Sequence, residues 1–168
     1  MKDGDPKKYC GPKPQPEEAL YQLATGLEYI HKMKFIHRDI KHENVLIWVN
    51  PENGEVLMKW ADFGLSKPVN ERGTCSMSGV RGTFDWLAPE ILKLLDDAAA
   101  NEDEEKRKRE TIQTDVFAEG LVFGYYLTDG LHPFGSPVQI APNILMKKPV
   151  NLSSKNIYKN VINRNKIK

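Results

Sequence analysis

Cysteine is scarce in this chain. The two present, Cys10 and Cys75, have neither a second cysteine nor a histidine at metal-ligand spacing. That excludes a disulfide scaffold and a cysteine-based zinc site, and two reduced thiols in loops of a cytoplasmic protein are expected. Charge of one sign is also lacking: Lys plus Arg number 24 and Asp plus Glu 23, a formal net charge of +1. No global field toward nucleic acid or an anionic membrane follows from that balance. No apolar run is long enough to span a bilayer, and Met1 is followed by Lys, Asp, Gly, Asp and Pro rather than the apolar core of a signal peptide. A soluble chain is expected. Internal repeats are absent, and 168 residues suffice for one ordinary hydrophobic core.

What is there divides into short periodic segments. Residues 1–15 carry Pro6, Gly11, Pro12 and Pro14 and read as a loop or a severed connection. From Pro16, with Glu17 and Glu18 in the first turn, Leu20, Leu23, Ala24, Leu27 and Ile30 recur at helical spacing. Val45 to Val49 and Val56 to Trp60 are β-prone runs, and Asn53-Gly54 between them predicts a hairpin. Residues 66–85 are rich in Gly, Ser and Thr without periodicity, as in a surface loop that can be switched. Pro89 to Leu95 predicts a short helix, and the charged block at 96–110 predicts a solvated helix face or a mobile insertion. Thr114 to Leu127 is apolar nearly all round, which predicts a buried helix stopped by Asp129-Gly130. A last helix is predicted from Ile140 to Lys148, ended by Pro149, before a polar, disordered tail at 151–168. The fold class is therefore mainly α with a small β-hairpin, and residues 16–150 form the domain.

Three motifs carry chemistry: His37-Arg38-Asp39-Ile40-Lys41-His42-Glu43-Asn44, then Asp62-Phe63-Gly64, then Ala88-Pro89-Glu90. Each residue alone has an ordinary reading, since a lone loop aspartate is usually a turn or cap and His37 or Phe63 a core residue. Together, in this order, they read as the catalytic loop, metal-binding aspartate and activation-segment end of a protein kinase. Phosphoryl transfer needs a carboxylate to orient or deprotonate the attacking hydroxyl, and a hard cation between phosphates. Asp39 is the candidate carboxylate, and Lys41 can set an ammonium against the transferred phosphate. Asn44 and Asp62 offer one neutral and one anionic oxygen ligand for the magnesium of bound ATP. Small-molecule phosphotransferases share the His-x-Asp-x-x-x-x-Asn pattern, but Lys41 and the Ala-Pro-Glu segment favour a protein substrate. His31, His42 and His132 do not form a metal constellation, and His132-Pro133-Phe134-Gly135 reads as a structural turn.

Further residues narrow the likeness. Ser78-Gly79-Val80-Arg81-Gly82-Thr83, Trp86-Leu87-Ala88-Pro89-Glu90, Thr114-Asp115-Val116-Phe117, Asp129 to Gly135 and Asn143-Ile144-Leu145 resemble the inositol-requiring kinase/endoribonuclease family, the unfolded-protein-response sensors. The resemblance covers about Glu17 to Leu145. It implies a kinase C-terminal lobe with the N-terminal lobe absent, because no glycine-rich loop or strand lysine precedes the catalytic-loop helix.

Residue roles follow from the same resemblance. Lys41 implies serine/threonine specificity, and Leu46 the apolar floor under adenine. Arg38 implies the arginine that pairs with a phosphorylated activation loop, with Thr74, Ser76 and Ser78 as phosphate carriers. Thr83 implies the threonine bonded near the catalytic aspartate, and Asp115 the carboxylate that holds the catalytic-loop backbone. Arg164 fits poorly as the arginine that pairs with Glu90, and the insertion at 96–110 is longer than in typical relatives.

For a complete parent, the resemblance implies ATP- and magnesium-dependent phosphorylation of a protein substrate or of itself in trans, a possible homodimer, and a place on the cytosolic face of the endoplasmic reticulum membrane. The isolated chain is expected to be weak or inactive, without a nucleic-acid role. The alternative is a non-catalytic kinase-like binding or dimerisation module.

Overall fold

Pro16 at the first helical position, Glu17 and Glu18 in the first turn and His31 and Lys32 in the last suit the helix dipole of α1 (Pro16–Lys32). Ala19, Leu23, Leu27 and Ile30 are its buried face. The computed structural model describes residues 11, 12, 14–76, 81–96 and 109–153. After α1 come β1 (Phe35–Ile36), β2 (Val45–Val49), β3 (Val56–Trp60), β4 (Lys67–Pro68) and β5 (Thr74–Ser76). They are followed by α2 (Pro89–Asp96), β6 (Arg109–Thr111), α3 (Ile112–Leu127) and α4 (Pro137–Leu145). The strands make three antiparallel pairs, β1 with β4, β2 with β3 and β5 with β6.

The hairpin forms where its sequence predicts, with Val45 opposite Trp60 and Val49 opposite Val56. Asn50 and Asn53 side chains accept the backbone N–H groups of Glu52 and Glu55, and Gly54 takes the left-handed conformation that closes the turn. Val56, Met58 and Trp60 face α1 by strand alternation. The docking is polar as well as apolar. Gln22 donates to the Val56 carbonyl at 3.1 Å and accepts the Met58 N–H at 2.7 Å, and Trp60 Nε1 donates to the Leu23 carbonyl at 3.0 Å. The wider core gathers α1, β3, α2, α3 and α4 around residues such as Leu27, Trp86, Ile91, Leu121 and Ile144.

Several expectations need correction. Helix α3 is not apolar on every side: Val116 is 45% exposed, while Asp115 and Glu119 are buried. Helix α4 begins at Pro137, not Ile140, because Ser136 and Gln139 form a capping box with Pro137 at the first position. It ends at Leu145, ahead of Lys147 in the left-handed region. The segment 66–85 is not wholly irregular: it contains β4, β5 and a 3-10 turn at Phe84–Trp86. Cys75 is buried on β5 rather than set in a loop, and the end of the charged block, Arg109 and Glu110, enters β6. Asn151, expected in the tail, is bonded to the His132-Pro133 turn through the Pro133 and His132 carbonyls. Cys10, Ser78 and Arg164 lie outside the described residues.

Candidate active site

The chain leaves α1 through Lys34 in the left-handed region, passes β1, and turns into the His37–Asn44 loop. His37 is fully buried, with Nε2 paired to the Ala61 carbonyl at 3.0 Å. Arg38 also has a positive φ, 72°, which a long side chain rarely adopts. Asp115, in the first turn of α3, sustains that conformation by accepting the N–H groups of both His37 and Arg38. His31, on α1, pairs with the same carboxylate at 2.9 Å, so two helices fix the loop between them.

Asp39 is the centre of the arrangement. Its Oδ1 accepts the Thr83 hydroxyl at 2.8 Å. Its Oδ2 accepts Asn44 Nδ2 at 3.0 Å and lies 2.7 Å from Lys41 Nζ. Lys41 also donates to Thr83 Oγ at 2.7 Å, which closes a ring of charge-assisted hydrogen bonds. Burial alone would raise the pKa of the Asp39 carboxyl, but the hydrogen bonds from Lys41, Thr83 and Asn44 outweigh it and hold the group below its ordinary value. It is therefore an ionised acceptor at neutral pH. Gly82, with φ 103°, brings the chain just before Thr83 against this loop: a Cβ there would stand 2.7 Å from the Arg38 carbonyl oxygen.

Asn44 gives its side-chain N–H groups to the Asp39 carbonyl at 2.8 Å and carboxylate at 3.0 Å, so its amide oxygen is the part of the side chain that could meet a cation. The Ala61 N–H donates to the Asn44 carbonyl at 2.9 Å, so the hairpin returns the chain beside Asn44 just before Asp62. Asp62 is exposed, at φ 63°, with Oδ1 accepting the Gly64 N–H. Two hard oxygen ligands and open surroundings fit magnesium, which keeps waters and takes phosphate oxygens. Among the described residues no group of three or more His, Cys, Asp or Glu side chains converges on a metal position. Phe63 lies tilted against His37 at 4.9 Å between ring centroids and is half exposed, and Leu46 is 62% exposed on the outer face of β2.

Residues 7–165 match the protein kinase domain family. The chain belongs to that family. Among relatives of this kinase domain, the human serine/threonine-protein kinase/endoribonuclease IRE2 is 38% identical over 138 residues, 80% of this chain and 14% of that protein. The sensor for unfolded proteins in the ER ire1 of Schizosaccharomyces pombe is 36% identical over 144 residues, 75% of this chain and 13% of that protein. An inactive serine/threonine-protein kinase/endoribonuclease IRE1-like protein of Arabidopsis thaliana is 33% identical over 152 residues, 84% of this chain and 24% of that protein. The chain thus spans a quarter or less of the length of these relatives.

The motifs bring Asp39, Lys41, Asn44 and Thr83 together, but three partners escaped sequence reasoning. Glu110 lies against Arg38, as an ion pair to Nε and a 3.0 Å hydrogen bond from Nη2. Thr74 and Ser76 stand on β5, outside these contacts. Glu119 is buried one turn beyond Asp115. Burial pushes its carboxyl up to about 7, opposed by His31 and reinforced by Asp115. A second acid in the apolar run of α3, one turn after Asp115, was the available signal for Glu119. His31, the third, was visible only as a histidine at the end of an amphipathic helix. No helix of the described residues is long and apolar enough to cross a membrane.

Proposed function

We propose that the described residues are the carboxyl-terminal lobe of a serine/threonine protein kinase, in which Asp39 receives the proton of a substrate hydroxyl. The observation that carries this reading is the ring formed by Asp39, Lys41, Thr83 and Asn44. When bound, ATP with magnesium supplies the γ-phosphoryl group and screens the charge between phosphates. The hydroxyl oxygen forms its bond to phosphorus as the bond to the ADP oxygen breaks, and its proton passes to the Asp39 carboxylate. Lys41 would neutralise charge on the transferred group, Asn44 and Asp62 would hold the cation, and Leu46 would offer an apolar contact to the base.

The whole protein would phosphorylate protein substrates and its own activation segment in trans at Thr74, Ser76 or Ser78. Likeness to the stress-sensor kinases supports homodimerisation and a place on the cytosolic side of the endoplasmic reticulum membrane. The 168-residue chain alone is expected to be weak or inactive, because positioning of the ATP phosphates carries much of the rate. The test is phosphate incorporation by the full-length protein against its Asp39→Asn variant. A loss of about 100- to 10,000-fold is expected, and equal incorporation would sink the reading.

A second reading, a non-catalytic kinase-like binding or dimerisation module, draws on the Arabidopsis relative named as inactive. Calorimetric titration with nucleotide separates the two: tight, magnesium-dependent ATP binding contradicts the module.

A further inference from the structure

Arg38 meets its anion on an unexpected strand. Its side chain and that of Glu110 are 4% and 5% exposed, and Nη1 also donates to the Leu65 carbonyl at 3.3 Å, just beyond the Asp62-Phe63-Gly64 turn. Glu110 is the middle residue of β6 and stands opposite Cys75, the middle residue of β5, with Cys75 Sγ 3.9 Å from its Oε2. Directly opposed residues of an antiparallel pair share one face, and their neighbours along each strand project to the other. Cys75 and Glu110 therefore face Arg38, while Thr74 and Ser76 face away. A phosphate on Thr74 or Ser76 could not reach the guanidinium while the ladder is paired.

Three segments thus meet at one buried guanidinium: the catalytic loop that carries it, the chain after Gly64, and the β5–β6 ladder. A buried arginine without an anion is strongly disfavoured, so whichever anion binds it decides where these segments sit. We infer that Glu110 is a positioning residue that takes the place of an activating phosphate, anchoring the activation segment to Arg38 without covalent modification. The inference rests on the kinase reading for its consequence, activity that does not wait for loop phosphorylation. Its structural content is independent of catalysis.

The test is hydrogen exchange across residues 65–76 in the 168-residue chain, with and without millimolar inorganic phosphate. In wild type, phosphate should leave exchange unchanged, because Glu110 already occupies Arg38. In E110Q, and more so in E110A, exchange in this stretch should rise by about tenfold or more. In E110A, phosphate should return it toward the wild-type rate, a rescue that a merely structural strand contact would not give. Unchanged exchange in both variants overturns the inference, as does loosening that phosphate does not reverse. Phosphate protection of the wild-type segment overturns it too, and that arm needs no variant to fold. Loss of the kinase reading through Asp39→Asn would leave all these outcomes as they are.

Discussion

Oδ2 of Asp115 accepts the backbone N–H of His37 at 2.7 Å, and Oδ1 accepts that of Arg38 at 2.9 Å. One carboxylate, itself 2% exposed, thus holds two successive amides of the His37–Asn44 loop in a conformation the loop would not choose alone. In Asp115→Asn an NH₂ group must face one of those N–H donors, leaving a buried pair unsatisfied. A loss of about 2–3 kcal/mol is expected in urea denaturation. The amides of His37 and Arg38 should lose more exchange protection than those of α1.

Glu119 should make the fold less stable as pH rises. Its folded pKa, about 7, is above the ordinary 4.5, so its contribution is fully present below about pH 4.5 and is lost as pH rises through about 7. The facing groups are His31 on α1 and Asp115 on its own helix. The change approaches roughly 3 kcal/mol. Glu119→Gln should be the more stable protein at pH 8 and should lack this slope in melting temperature against pH. Asp39 runs the other way: its lowered pKa contributes stability above pH 3.8 that is lost as pH falls through the folded value. A wild-type stability maximum in the mildly acidic range is therefore expected, and a flat profile from pH 5 to 8 would count against the buried state of Glu119.

Gln22 pairs with the hairpin as a short strand would, one donor and one acceptor to alternate groups of β3. In Gln22→Ala the Met58 N–H loses its side-chain acceptor, and a cost of about 1–3 kcal/mol is expected. Amide exchange should show the effect concentrated at Met58 rather than spread through α1. Gln22→Glu should recover the acceptor but not the donor and lie between the two.

The elements legible in the sequence are those whose signals are local. The bounds of β2 and β3 follow from two β-prone runs and an Asn-Gly turn, and α1 from its spacing and Pro16. Pairing between β5 and β6 is not legible, because three-residue strands carry no pattern and their partners are 35 residues apart at Cys75 and Glu110. The start of α4 is legible in the local cap Ser136-Pro137 and Gln139, three residues ahead of the expected Ile140. At the candidate site, Asp39, Lys41 and Asn44 sit within six residues and come together with Thr83, as one loop and one segment behind it. Arg38 is in the same loop, yet its partner is 72 residues away on a strand that exists only through tertiary pairing.

The β5–β6 ladder is also a mechanical link. It joins Thr74, Cys75 and Ser76 to Thr111, Glu110 and Arg109, and Ile112, the next residue after β6, opens α3. A pull on β5 is thus passed straight to the helix whose first turn carries Asp115. The ladder acts as a clasp: unfastening it would free the segment before Ser76 and slacken the start of α3 in the same event.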